Sequence, residues 1–226
     1  MHDHTHQAVS VREQVAAAVY YALNILWFPV TLLGYVLWIG KAYRVGRAAG
    51  VSTTAQSPLY ARWAMHRLGV RHDEAAHRLL LRLPGISPLA VSLVADPMLL
   101  AHRLTGYVPK TFRYPFAGDI PLQAVVAARQ AFFDTVVERN LAHLTQLVIL
   151  GAGFDTRAYR LPGEARVRAF EVDLPKTQAL KRTVLEQTGI DATGVTFVAA
   201  NFEQDDWFAR LVEAGFDPGR PALFLW

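Results

Sequence analysis

Gln146-Leu147-Val148-Ile149-Leu150-Gly151-Ala152-Gly153-Phe154-Asp155-Thr156 decides the fold. Five apolar-dominated residues in a row, without polar alternation, describe a strand buried on both faces, as in a parallel sheet. The glycines that follow let the chain turn tightly and bring backbone N–H groups close to a ligand at a helix N-terminus. Downstream, Val167–Val172 is a second strand, and a helix from Pro175 to Gly189 leads to a third, Val195–Ala199. Gln204–Ala214 is a further helix and Pro221–Trp226 a fourth strand. Strands alternating with helices predict an α/β fold, a doubly wound, mostly parallel Rossmann-like sheet with its ligand crevice at the carboxyl ends of the strands. Asp173, twenty residues past Gly153, ends the second strand, where a carboxylate accepts both hydroxyls of a ribose. The alternative for Gly151, Gly153 and Asp173 is a plain α/β turn with the acid capping the next helix. Thr156 stands where a dinucleotide fingerprint has its third glycine. Asn201 and Phe202, just past the third strand, are placed to bracket a base.

Upstream, Leu122, Val125, Val126, Phe132, Phe133, Val136, Val137, Leu141 and Leu144 recur at helical spacing. Arg129 falls inside that apolar stripe. A buried guanidinium needs an anion, either a cofactor carboxylate held by bidentate bonds or an internal acid such as Asp155; the third option is snorkelling to solvent. Between 51 and 120, Ser57-Pro58, Ser87-Pro88 and Asp96-Pro97 each read as a helix start, with Gly69, Pro84 and Gly106 as stops. The apolar run 86–101 is read as a lid or core helix, with a membrane-surface helix as the alternative.

Composition narrows the class. Of 226 residues 52% are hydrophobic and 19% charged, which excludes a disordered chain, and no cysteine is available for disulfides, zinc ribbons, iron–sulfur clusters or thiol nucleophiles. The net charge is +4 and unevenly distributed, −1 over residues 1–40, +7 over 41–140 and −2 over 141–226. Val15–Gly40 contains no charge over 26 residues, about 39 Å as a helix, with tyrosines and a tryptophan at its ends. It is read as a single transmembrane helix; Lys41, Arg44 and Arg47 beyond it place the remainder in the cytoplasm by the positive-inside rule. A buried core helix or one lying in the membrane plane is the alternative. The expected division is a polar tail (1–14), the anchor (15–40), a basic flank and helical lid (41–121) and the α/β domain (122–226). A fourth strand with no helix after it further suggests a chain that stops before the fold is finished. His2, His4 and His6 are read as polar tail, with no metal site, and the charge placement gives no nucleic-acid surface.

Taken together, Ala128-Arg129-Gln130-Ala131-Phe132-Phe133-Asp134, Leu150-Gly151-Ala152-Gly153-Phe154-Asp155-Thr156-Arg157, Phe170-Glu171-Val172-Asp173-Leu174-Pro175 and Gly215-Phe216-Asp217-Pro218 resemble the leucine carboxyl methyltransferase family over about residues 51–226. The resemblance implies a class I methyltransferase fold of seven strands that uses S-adenosyl-L-methionine. Arg129 would bind the methionyl carboxylate, Gly151 and Gly153 would pass beneath the cofactor, and Asp173 would hold the ribose. Asn201 and Phe202 correspond to an adenine-contacting Asp-Leu pair. Thr54-Ala55 and Arg62 resemble an element that closes over the active site, and a glutamate after the fourth strand would fall beyond Trp226. The expectation is a membrane-anchored O-methyltransferase for a carboxylate on a small or lipophilic acceptor; an NAD-dependent oxidoreductase and a catalytically inactive membrane-tethered binding module are the alternatives.

Overall fold

A computed structural model describes residues 10–49, 56–113, 124–163 and 166–226. His2, His4, His6 and the Thr54-Ala55 pair lie outside them. Four parallel strands form one sheet: β1 (Gln146–Leu150), β2 (Arg168–Asp173), β3 (Val195–Ala199) and β4 (Ala222–Leu225), in the spatial order β3-β2-β1-β4. Gln146 pairs with Arg168 on one side and Ala222 on the other, so β1 is central and the strand order reverses between it and β4. The uninterrupted apolar character of β1 is explained by its two covered faces. Leu147 and Ile149 pack with Ala169, Val137 and Leu225 on one side. Val148 packs with Phe170, Val198, Leu211 and Phe216 on the other.

The helices are α1 (Val11–Leu26), α2 (Phe28–Ala49), α3 (Gln56–Arg67), α4 (Glu74–Leu80), α5 (Pro88–Thr105), α6 (Val125–Asn140), α7 (Pro175–Thr188) and α8 (Trp207–Glu213). α7 begins at Pro175 and closes on Gly189 in a left-handed turn, as its sequence predicts. α5 begins at the Ser87 cap and ends at Gly106, but Asp96-Pro97 starts no new helix: Pro97 sits buried inside α5. Its buried residues Val91, Ala95 and Leu99 join α3, α4 and Phe154 in one core, so it is a core helix.

The expected single helix over 15–40 is two helices bent by 61°; no single described helix is long and apolar enough to cross a membrane, and only the bent pair taken together has that length and composition. Pro29 explains the break. It has no N–H for the Ile25 carbonyl and its ring crowds that carbonyl out of the helical path, so the chain turns at Trp27, whose carbonyl accepts instead from Val30 and Thr31. α1 begins at Val11, within the stretch expected as tail. Both helices lie on α5. Gly34 allows α2 to approach it: a Cβ there would stand 2.8 Å from the Leu93 Cβ. Tyr20 of α1 packs against Ala101 and Tyr107.

Two further differences concern the site. Among the described residues between the glycine loop and β2 there is no α-helix, only a short 3-10 turn, Arg157–Arg160. And α6 is rotated relative to its apolar pattern. Ala127, Ala128, Gln130, Ala131, Asp134 and Val137 face inward, whereas Val125, Val126 and Phe132 are exposed. Small and polar residues are needed on the inner face because it packs on α3 and on a cluster of arginines.

Candidate active site

The carboxyl ends of β1 and β4 open into a cavity of about 430 Å³ lined by the first turn of α3, one side of α6 and the loop 151–155. That is where the strand order reverses, the position at which open α/β sheets bind ligands. Gly151 and Gly153 turn the chain away from β1 with φ of +58° and +47°, angles that L side chains adopt at a cost of roughly 1–2 kcal/mol. The apolar side chains Val125, Val126 and Phe133 of α6 form a wall of the same cavity, which is why their stripe is not buried in the core.

Arg129 stands on that wall, exposed rather than buried. Its guanidinium carbon lies 5.3 Å from the centre of the Phe133 ring, and one terminal nitrogen donates to the Trp226 carbonyl at 3.1 Å. Asp155, the internal partner considered for it, is engaged elsewhere. Arg129 therefore presents a cation with unused N–H groups among the described residues, backed by an aromatic face.

Asp173, Asn201 and Phe202 are not in the cavity wall but on an adjoining shelf at the ends of β2 and β3. The two parts are linked by the Gly153 N–H, which donates to the Asp173 carboxylate at 2.5 Å, and by the Ala152 N–H, which donates to the Val172 carbonyl. The other Asp173 oxygen accepts from the Leu174 N–H at 2.6 Å. A carboxylate has about four acceptor positions, so lone pairs remain for hydroxyl donors. On the neighbouring strand the Ala200 N–H donates to the Asp173 carbonyl, which sets Asn201 beside it. Asn201 is locked: its side-chain oxygen accepts from the Glu203 N–H and its own N–H donates to Asp205. Phe202 is partly exposed and leans on Trp207, ring centres 6.1 Å apart.

Arg62 lines the cavity floor, but it is not free to meet a substrate. Each of its three nitrogens donates to the protein: to Gln130 at 2.9 Å, to the Thr156 hydroxyl at 2.9 Å and to Asp155 at 2.6 Å. Thr156 in turn donates to Asp73, the N-cap of α4. Arg157 joins Asp155 and Asp134, and Arg71 and Arg160 also reach Asp134. This lattice, which ties α3, α4 and α6 to the loop after β1, is the part that sequence reasoning missed. Its signal was the density of charge in Asp155-Thr156-Arg157 and Arg160, directly behind a buried strand. Burial alone would raise the Asp155 carboxyl; Arg62 and Arg157 outweigh it and hold the group well below the usual carboxylate range. Asp134 is likewise depressed, burial being overcome by Arg157, Arg160, Arg62 and Arg71. Burial lowers the Arg62 guanidinium.

A cavity with a cation at one end, a glycine-lined floor and a carboxylate shelf at the other matches a zwitterionic amino-acid head joined to a nucleoside. The residues present fit S-adenosyl-L-methionine: the two left-handed glycines leave the floor without side chains, and a Cβ at Gly151 would meet only open space.

Comparison with known proteins gives the same direction. The family model described as leucine carboxyl methyltransferase matches residues 88–226. A protein of Mycobacteroides abscessus, provisionally named an S-adenosyl-L-methionine-dependent methyltransferase, is 29% identical over 188 residues, covering 82% of this chain and 56% of that protein. Proteins with the same provisional name from Frankia alni and Rhodococcus jostii are 36% identical over 152 residues and 33% over 166. They align with 66% and 73% of this chain, and with 47% and 45% of their own lengths. The chain thus spans about half the length of the curated relatives it matches.

Proposed function

The chain belongs to the leucine carboxyl methyltransferase family, and from that premise we propose that it serves an S-adenosyl-L-methionine-dependent O-methyltransferase whose acceptor is a carboxylate on a small or lipophilic molecule. The observation that carries this reading is the pairing of Arg129, on the cavity wall, with Asp173, linked to the cavity through Gly153. S-adenosyl-L-methionine supplies an electrophilic sulfonium methyl group when bound. Arg129 would hold the methionyl carboxylate, charge against charge. Gly151 and Gly153 would let the backbone lie close beneath the cofactor, and Asp173 would accept from the ribose hydroxyls. Asn201 and Phe202 would flank the adenine.

A carboxylate acceptor is already ionised at neutral pH, so the protein need not remove a proton. Its contribution is to orient the acceptor in line with the methyl group and to exclude water, effects that supply up to about 7–11 kcal/mol in well-aligned reactions. Val125, Val126 and Phe133 provide an apolar wall for that purpose. The oxidoreductase alternative fares less well on geometry. A dinucleotide pyrophosphate sits on a helix N-terminus, and here the glycine loop runs into a four-residue 3-10 turn instead.

Calorimetric titration of S-adenosyl-L-methionine, its demethylated product and NAD into the purified chain tests the proposal. Binding of the first two and not of NAD, abolished by Asp173→Ala, is the expected result. NAD binding refutes the cofactor assignment. Cofactor binding without methylation of any carboxylate acceptor by the enzyme supports the inactive binding module.

A further inference from the structure

α1 and α2 bury only one side each. On α1 the inward stripe is Ala16, Ala17, Tyr20 and Leu23, set against α5 and Tyr107. On α2 it is Gly34, Trp38, Lys41 and Ala42. What remains outside is large and apolar: Val15, Val19, Ile25, Leu26, Phe28, Leu32, Leu33, Val36 and Ile39 are among the exposed residues, with Ile25 at 74% and Ile39 at 66%. A water-facing helix side carries charge; this one has none from residue 15 to 40. An exposed apolar surface of this extent marks an interaction site.

We propose that the outer face of α1 and α2 docks in the plane of an anionic lipid bilayer. Charge at the ends of the face identifies the occupant. The charged residues between 10 and 45 are Arg12, Glu13, Lys41 and Arg44. Glu13 is neutralised by Arg113 at 2.5 Å and Lys41 turns inward to donate to the Ile86 carbonyl, which leaves the exposed Arg12 and Arg44 at the two ends of an uncharged apolar band. That pattern, lipid-facing apolar residues bracketed by basic ones, suits a bilayer with anionic headgroups. The bend at Trp27 keeps both helices flat on α5, and α5 is part of the domain core. A spanning arrangement would have to strip them from it. The exposed stripe of α5 itself carries Ser92, Asp96 and Arg103 and is not part of the docking face.

The inner side of α2, opposite that face, contacts the cavity rim. The Trp38 indole N–H on α2 donates to the Gln56 side chain at 3.4 Å and its ring packs edge-on to Tyr60 at 5.0 Å. Both belong to α3, whose first turn forms the cavity rim. A lipophilic acceptor dissolved in the bilayer would therefore enter beside α3. That route rests on the methyl-transfer reading; the docking does not.

Flotation of the chain, diluted from detergent, with vesicles tests the docking without any cofactor. The expected result is co-flotation with phosphatidylcholine–phosphatidylglycerol vesicles, about tenfold or more stronger than with phosphatidylcholine alone. The double variant Leu33→Glu, Val36→Glu changes only exposed side chains; it should keep the wild-type circular dichroism and thermal midpoint and lose flotation at least about tenfold. The proposal is overturned if the folded wild type does not float with either vesicle. It is equally overturned if the variant floats as well as the wild type, or if light scattering shows a stable dimer that leaves the vesicles unbound, since a second copy would then cover the face.

Discussion

Arg129 holds its charge in the open, steadied by the Trp226 carbonyl and the Phe133 ring, and so is ready to bind a carboxylate without losing an internal partner. Arg129→Met should weaken S-adenosyl-L-methionine binding about 10–100-fold, the worth of a hydrogen bond to a charged group, and leave adenosine, which has no carboxylate, unaffected in the same titration. Gly153 is constrained for a different reason. Its φ of +47° and its N–H bond to Asp173 belong together, so Gly153→Ala should cost about 1–2 kcal/mol in denaturant unfolding and weaken cofactor binding. The glycines and Asp173 were legible because their spacing is local to two adjoining strands. The exposure of Arg129 was not. Apolar neighbours one turn away indicate a buried face only where a core is behind them, and here a cavity is.

Strand β2 and helix α7 are joined by an ion pair inside the core, where the Lys181 ammonium donates to Glu171 at 2.6 Å and also to the Asp155 carbonyl at 2.8 Å. Both side chains are only 1% exposed, and burial pushes the Glu171 carboxyl up against the pull of Lys181. Removing one partner strands the other: Lys181→Met should cost about 3–5 kcal/mol, and adding Glu171→Leu should restore much of it, both read from urea unfolding. The β-strands matched their sequence reading to within a residue or so because each is short, apolar and bounded by turn residues. The N-terminal helices did not match, since an uncharged run looks alike whether it is straight or broken. Hydropathy hides the effect of Pro29, which acts on one carbonyl.

Across the whole molecule, three aspartates and four arginines fasten the helical layer to the sheet, with Asp134 and Asp155 held below their ordinary pKa. The unfolded chain, whose aspartates titrate near 3.9, binds more protons in acid than the folded one. Their stabilisation is therefore present above about pH 4 and is lost as pH falls towards the folded values. The thermal midpoint should drop steeply below about pH 4, and Asp134→Asn should lower it at pH 7 and flatten that acid dependence. The charged run from Asp155 to Arg160 signals half of this lattice, but no window of sequence pairs it with its partners: Arg62 and Asp155 are 93 residues apart and Asp73 and Thr156 are 83, so proximity exists only after folding.

Gln146 at the head of β1 and Asp217 before β4 exchange two hydrogen bonds of 2.8 Å across 71 residues. The ribosome delivers β1 long before it delivers the strand that completes it. At about 5–20 residues per second, the central strand waits roughly 4–14 s with one edge open. During that interval the unpaired N–H and C=O groups along that edge are a template for another strand, so co-translational folding of this protein is expected to depend on β1 being shielded until residue 225 has emerged.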